Sequence, residues 1–201
     1  MNVLRKLTIV IFATFLASSN ILLADDSKVG FGIEFGRAGY DIGAKQTAQT
    51  IANLAGQTVT YNADKGAYIG RIFLDYRISD DFLLETGYFS SDTIDATYTL
   101  AGASATESYS VKGYDLSTVY LPRESLLFFK AGIHSSEVNG ATSITIGGTT
   151  YAANASYSGT GILIGAGFQR DSGTRWGATY YADIGGNSNA NSTVLYVGTR
   201  F

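Results

Sequence analysis

From Val29 onward the chain alternates between apolar residues and polar or small ones, in short runs broken by turn signals. The last run, "NSTVLYVGTRF", sets Thr193, Leu195, Val197, Thr199 and Phe201 on one side, with Val194, Tyr196, Gly198 and Arg200 between them. A period of two marks a strand with two unlike faces. Eight such runs are found, at about 28–41, 66–78, 82–93, 108–121, 126–138, 156–169, 174–185 and 192–201. Their Gly, Tyr, Phe, Val, Ile and Thr content and their spacing predict an all-β sandwich or barrel.

The connections alternate in length. "SDD" (79–81), "PRES" (122–125) and "DSGT" (171–174) are tight, whereas 42–65, 94–107, 139–155 and 186–191 are longer. Short turns at one end and long loops at the other are the habit of outer-membrane barrels.

Register gives a sharper test. Gly147-Gly148 suits a two-residue hairpin turn, in which both central residues need positive φ. Pairing outward from it sets Ile133 against Ile162, Phe129 against Ala166 and Leu127 against Phe168. The same register sets Lys130 against Gly165 and His134 against Gly161. Apolar pairs fall on one face and polar or glycine pairs on the other. The turns at 79–81 and 171–174 give the same segregation, so one meander with two chemically distinct faces is expected.

One face collects Phe35, Ile72, Leu74, Leu84, Leu116, Ile133, Ile164, Leu195 and many similar residues. The other collects Glu34, Arg71, Asp75, Glu85, Asp115, Lys130, His134, Arg175, Asp183 and Arg200 among glycines. A soluble lipocalin-like barrel would turn the apolar face inward, around a ligand. An eight-stranded interior is just wide enough to be filled by side chains, and that many aromatic and large aliphatic residues exceed it. The charged, glycine-rich face fits, so an eight-stranded antiparallel up-and-down transmembrane barrel with its apolar face toward lipid is predicted. Tyr76, Phe82, Tyr120, Phe168 and Trp176 cluster near the short-turn end, as an interfacial aromatic girdle does. Arg37 and Lys112 break the pattern by facing outward, and a position at the membrane interface or a bulge is expected to take them.

Composition narrows the setting. The 201 residues include one Pro, no Cys, 24 Gly and 14 Tyr. Charged residues make up 15%, and the net charge is −3. That balance gives no reason to expect nucleic acid, and no spacing of Cys or His suggests a metal; no cofactor is expected. Residues 1–24 read as a signal peptide: Arg5 and Lys6, an uncharged apolar stretch, then Ala24 before the polar start at Asp25. A membrane anchor is the alternative for that stretch, weakened by Ser18, Ser19 and Asn20. Loss of Arg5 and Lys6 would take the charge from −3 to −5, and the barrel domain would comprise 25–201.

The eight-strand rhythm, "GILIGAGFQRD" before a tight turn, and the terminal "LYVGTRF" resemble the OmpA-like transmembrane domain family of small outer-membrane barrels, with its OmpX and OmpW relatives. The resemblance implies the outer membrane of a Gram-negative bacterium, reached by the Sec pathway, with lipid and lipopolysaccharide as surroundings. It also implies that the last strand closes against the first, and that Phe201, with Val197 and Tyr196, is read by the barrel-assembly machinery.

For chemistry, the inward charges predict a salt-bridge network that plugs the lumen, with Lys130 a candidate to separate Asp75 from Glu85. A non-catalytic structural or surface-interaction barrel is the leading reading, and a narrow channel for ions or small solutes the second. His134, Ser136 and Glu137 resemble the nucleophile sets of lipid A-modifying enzymes, but Glu137 has the opposite parity from the other two. No enzyme is therefore expected. Ile51, Leu54 and Ala55 would line one face of a short helix within 46–58. The loops 42–65, 94–107 and 139–155 are the candidate sites for surface ligands, since recognition resides in loops on a rigid scaffold.

Overall fold

The computed structural model describes residues 28–40, 43–186 and 190–201. The expected signal peptide lies outside the described residues.

Among the described residues, ten strands form one sheet: β1 Val29–Tyr40, β2 Thr60–Ala63, β3 Gly66–Ser79, β4 Phe82–Ser91, β5 Ile94–Leu100, β6 Ala103–Tyr120, β7 Leu127–Ile146, β8 Thr149–Gln169, β9 Thr174–Tyr181 and β10 Ser192–Arg200. Eight of them, β1, β3, β4 and β6 through β10, close into an antiparallel ring. The last strand pairs with the first from Gly32↔Arg200 to Tyr40↔Ser192. Beyond it, Phe31 and Phe201 exchange backbone hydrogen bonds of 3.2 and 2.7 Å, and their rings stack 5.0 Å apart. That pairing ties down a terminus that would otherwise fray.

The hairpin register is as the sequence required. Ile133 lies opposite Ile162, Lys130 opposite Gly165 and His134 opposite Gly161. Gly147 and Gly148 take φ of 55° and 85°, the left-handed pair a tight hairpin turn needs.

The strands extend beyond the ring at the long-loop end. Segments 94–107 and 139–155 continue the sheet, with turns at Gly102 and Gly147-Gly148: β5 pairs with the upper half of β6, and β7 and β8 stay paired up to Ile146↔Thr149. Together with β2 they make a five-stranded sheet that projects beyond the ring. β9 is shorter than expected, ending at Tyr181 rather than 185. In the longest connection a helix, α1 Ala44–Ala55, packs on that sheet. Ala44, Ala48 and Ile51 meet Ala96, Tyr98 and Ala105. Of the three residues expected along one face, Ile51 joins this contact whereas Leu54 is 85% exposed; the small side chains at 44 and 48 let the helix approach the flat sheet.

The outer surface of the ring is apolar. Ile72, Leu74, Tyr114, Ile133, Ile162, Ile164, Leu195 and Val197 all point outward and are exposed. On β3 the belt runs from Tyr68 to Tyr76, about the nine to eleven residues with which a tilted strand crosses a membrane. Arg37 and Lys112 stand at its upper rim. Register is unbroken through both, so their place is the interface and no bulge is involved. Lys112 lies opposite Glu137 on β7 and pairs with it at 3.4 Å.

Candidate functional site

The lumen is layered, and the layers follow from the inward residues of each strand. Nearest the short turns, Arg200 on β10 donates to Asp75 on β3 through Nε (2.8 Å) and Nη2 (2.6 Å). Leu83, Val119 and Phe128 fill an apolar layer and are nearly inaccessible.

The next layer holds three carboxylates and three cations: Glu34, Glu85 and Asp115 with Arg71, Lys130 and Arg175. All six are buried. Arg71 donates to both oxygens of Asp115, at 2.8 and 2.6 Å, and to Glu34 at 3.0 Å. It also lies 2.8 Å from Glu85. Arg175 bridges Glu85 (2.8 Å) and Glu34. Its guanidinium also stacks 3.9 Å from the Phe73 ring centroid. Lys130 Nζ sits 2.9 Å from Glu85 and 3.9 Å from Glu34.

Formal charge in this layer is balanced, which matters because an unpaired ion here would bear a desolvation cost of several kcal/mol (order of magnitude). Gly87 makes the packing feasible. A Cβ there would come within 2.6 Å of Arg71 Nε.

Two expectations about this cluster are corrected. Lys130 does not separate Asp75 from Glu85. Those two are cross-strand neighbours, but Asp75 turns to Arg200 and Glu85 to Lys130, Arg71 and Arg175, so each carboxylate has its own cation. Asp183 takes no part. It lies past the end of β9 with φ 56°, and its backbone N–H donates to Asn191 Oδ1 at 3.2 Å.

Above the charges the lumen turns aromatic and then aliphatic. The His134 ring stands edge-on to Tyr181, 5.4 Å between centroids, and 6.4 Å from Phe89. Its Nε2 lies 2.6 Å from the Ala182 carbonyl oxygen, a contact made by donating. The segment after β9, residues 182–186, then folds into the barrel mouth. Ile184 is buried among the aliphatic residues there, and the Gly185 N–H donates to Ser136 Oγ at 2.9 Å. A void of about 10 Å³ remains beside Glu34, Arg71 and Tyr181, the room of a single water.

The His134–Ser136–Glu137 set is not brought together. His134 and Ser136 face the lumen and are spent on the inturned loop, while Glu137 faces outward toward Lys112 and Ser156. Closure of the mouth by that loop was not expected from the alternation pattern. Its signal was the glycine pair Gly185-Gly186 facing Gly159, where side chains would collide.

At the short-turn end, Tyr76, Phe82, Tyr120, Phe168 and Trp176 all lie on the outer face. Phe82 packs near Tyr120 at 5.0 Å and Phe168 stacks on Trp176 at 5.7 Å. Val197 and Phe201 share that face. Tyr196, grouped with them from the sequence, instead points inward and is buried, 5.8 Å from Lys130 Nζ.

No protein-family profile matches the sequence, and no curated protein matches it either. Solved structures do. The attachment invasion locus protein Ail of Yersinia pestis aligns over 87% of this chain and 100% of its own, with a TM-score of 0.52 at 11% identity. The outer membrane protein OprG from Pseudomonas aeruginosa aligns over 86% and 95%, with a TM-score of 0.46 at 12% identity. With a closed ring of eight strands, apolar outside and charged within, the chain has the fold of the small outer-membrane β-barrel proteins.

Proposed function

We propose that this protein is a closed, non-catalytic barrel of the outer membrane, and that it serves as a rigid scaffold for the structures projecting at its long-loop end. The observation that carries the reading is the lumen. A balanced layer of six buried ions lies between an apolar layer below and the aromatic and aliphatic layers above. Moving any of these ions strips a partner of its counter-charge, so the layer favours one closed arrangement. Activity then belongs outside the barrel, on the five-stranded sheet, on α1 and at the turns.

The same reading gives the remaining parts their roles. Residues 1–24 are removed after export through the Sec pathway, leaving the barrel domain 25–201. The outward belt meets lipid and lipopolysaccharide, and the aromatics near the short turns form the periplasmic girdle. The Phe201 edge, with Val197 on the same face, is offered to the barrel-assembly machinery before it pairs with β1; Tyr196 contributes from the lumen side of that strand.

Cysteine labelling on intact cells tests this arrangement. A membrane-impermeant maleimide should label Gly147→Cys and spare Ser172→Cys until the outer membrane is opened. Proteoliposomes of the wild type should not swell in small sugars. Equal labelling of both sites, or rapid swelling, would overturn the reading.

A further inference from the structure

The flank of α1 that borders β2 is left open by its packing. Ala44 and Ala48 press on the sheet, and Tyr98 beneath them is buried, with its hydroxyl donating to Glu107 at 3.0 Å. The neighbouring strand carries Tyr61 directly opposite Tyr98. Unlike Tyr98, Tyr61 stays 42% exposed. Between helix and strand lies an open groove of about 620 Å³, a size typical of small-ligand sites.

The chemistry of that groove is specific. Along α1, Lys45, Gln49 and Asn53 recur every four residues, so they stand in one row on the helix flank and line one wall. Tyr61 and Gln57 line the groove as well. Its aliphatic lining is limited to Ala48, Ala52 and Val59, with no large aliphatic side chain. Three side-chain amides each donate and accept hydrogen bonds. One ring offers a flat apolar face with a polar tip. Among the described residues that line it, Lys45 carries the only formal charge.

We propose that this groove binds a saccharide bearing an acidic group. The Tyr61 ring lies against the C–H face of one sugar, Gln49, Asn53 and Gln57 pair with its hydroxyls, and Lys45 meets the carboxylate or phosphate. Sugar hydroxyls need partners that both donate and accept, which the amides supply. A lone lysine suits one anionic substituent and is too little for a polyanionic nucleic acid backbone. The inference rests on the proposed placement of the long-loop end outside the cell. Two sources carry this chemistry: the core sugars of the membrane's own lipopolysaccharide, or glycans presented from outside.

The test uses the full mature chain in nanodiscs of phosphatidylcholine, applied to an array of tagged oligosaccharides. The array holds uronic-acid, sialic-acid and phosphorylated glycans, with neutral counterparts and a set of extended peptides. Acidic glycans should be retained, and Tyr61→Ala should weaken retention by about tenfold or more, the effect of losing a central aromatic anchor. Asn53→Ala, on an exposed helix position, should weaken it less. Lys45→Ala should erase the preference for acidic over neutral glycans. Repeating the array in nanodiscs containing lipopolysaccharide separates the sources. Lost retention assigns the groove to the protein's own membrane sugars, and unchanged retention assigns it to external glycans.

Absence of any glycan binding in the first nanodiscs overturns the proposal. So does binding undiminished by both Tyr61→Ala and Asn53→Ala, or retention of peptides in place of glycans. Swelling of proteoliposomes tests the closed barrel independently, so a leaky barrel that still binds through Tyr61 would leave the groove standing.

Discussion

The two halves of β7 belong to one continuous strand and live in different surroundings. From Leu127 to Ser136 its residues alternate sharply: Phe128, Lys130, His134 and Ser136 are buried in the lumen, while Leu127, Phe129 and Ile133 face outward and are exposed. From Glu137 to Ile146 the contrast fades, and most positions are partly exposed on either face. Hydrogen bonding to β6 and β8 continues unchanged through both halves. What differs is the medium. Lipid on one side and a filled lumen on the other force every lower residue to declare a face. Water on both sides makes no such demand on the upper ones, so pairing there is maintained by the backbone ladder and cross-strand contacts.

That comparison can be broken most severely inside the lumen. Arg175→Leu leaves three buried carboxylates with two cations, and we expect a loss of about 3–5 kcal/mol in reversible urea unfolding from lipid vesicles. A loss no larger than that of an ordinary surface substitution would mean the layer is hydrated and its ions individually dispensable. Gly87→Ala comes next. Its methyl group would press on the Arg71 guanidinium, and a loss of about 1–3 kcal/mol is expected by the same measurement. Stability equal to that of the wild type would show that Arg71 has room to move.

In the projecting sheet the expected effects are smaller and local. Burial, and then the Glu107 carboxylate, push the Tyr98 hydroxyl up to about 12, above the ordinary phenol value of about 10. Its contribution is therefore complete below about pH 10 and is lost as pH rises through about 12. Hydrogen exchange should show α1 and β5 loosening across that window while the ring stays protected. Tyr98→Phe should abolish the alkaline step. Persistence of the step in that variant would assign it to another group. Smallest of all is the rim: because Lys112 and Glu137 are both well exposed to solvent, Lys112→Ala should leave unfolding unchanged within error.

The same contrast explains what the sequence disclosed. Two-sided burial writes a strict period of two, so the ring strands, their registers around Gly147-Gly148 and the inward residues Glu34, Arg71, Glu85, Lys130 and Arg175 were legible as positions. Which ion meets which was not. Partners such as Arg175 and Glu34 lie on strands far apart in the chain and meet only across the lumen, so the expectation for Lys130 holds at Glu85 and fails at Asp75, where Glu34 takes its place.

Outside the membrane the signal weakened for a physical reason. Segments 94–107 and 139–155 are rich in Thr, Ser, Ala and Gly on both faces, so their composition leaves the two faces undistinguished, although the glycine pair at 147–148 marks a hairpin there. The expected helix is present; Ile51 packs on the sheet beside Ala44 and Ala48, while Leu54 stays exposed. Asp183 had the parity of a lumen residue and lost that place because β9 stops at Tyr181 and the chain turns into the mouth.

The central claim is that the lumen is closed, and single-channel conductance of the mature chain in a planar bilayer tests it most directly. A silent wild type is expected. Lys130→Ala should be silent as well, since the apolar layers above and below the ions remain. Discrete openings in the wild type whose amplitude or gating shifts with Lys130→Ala would contradict it and make the charged layer part of a conducting path.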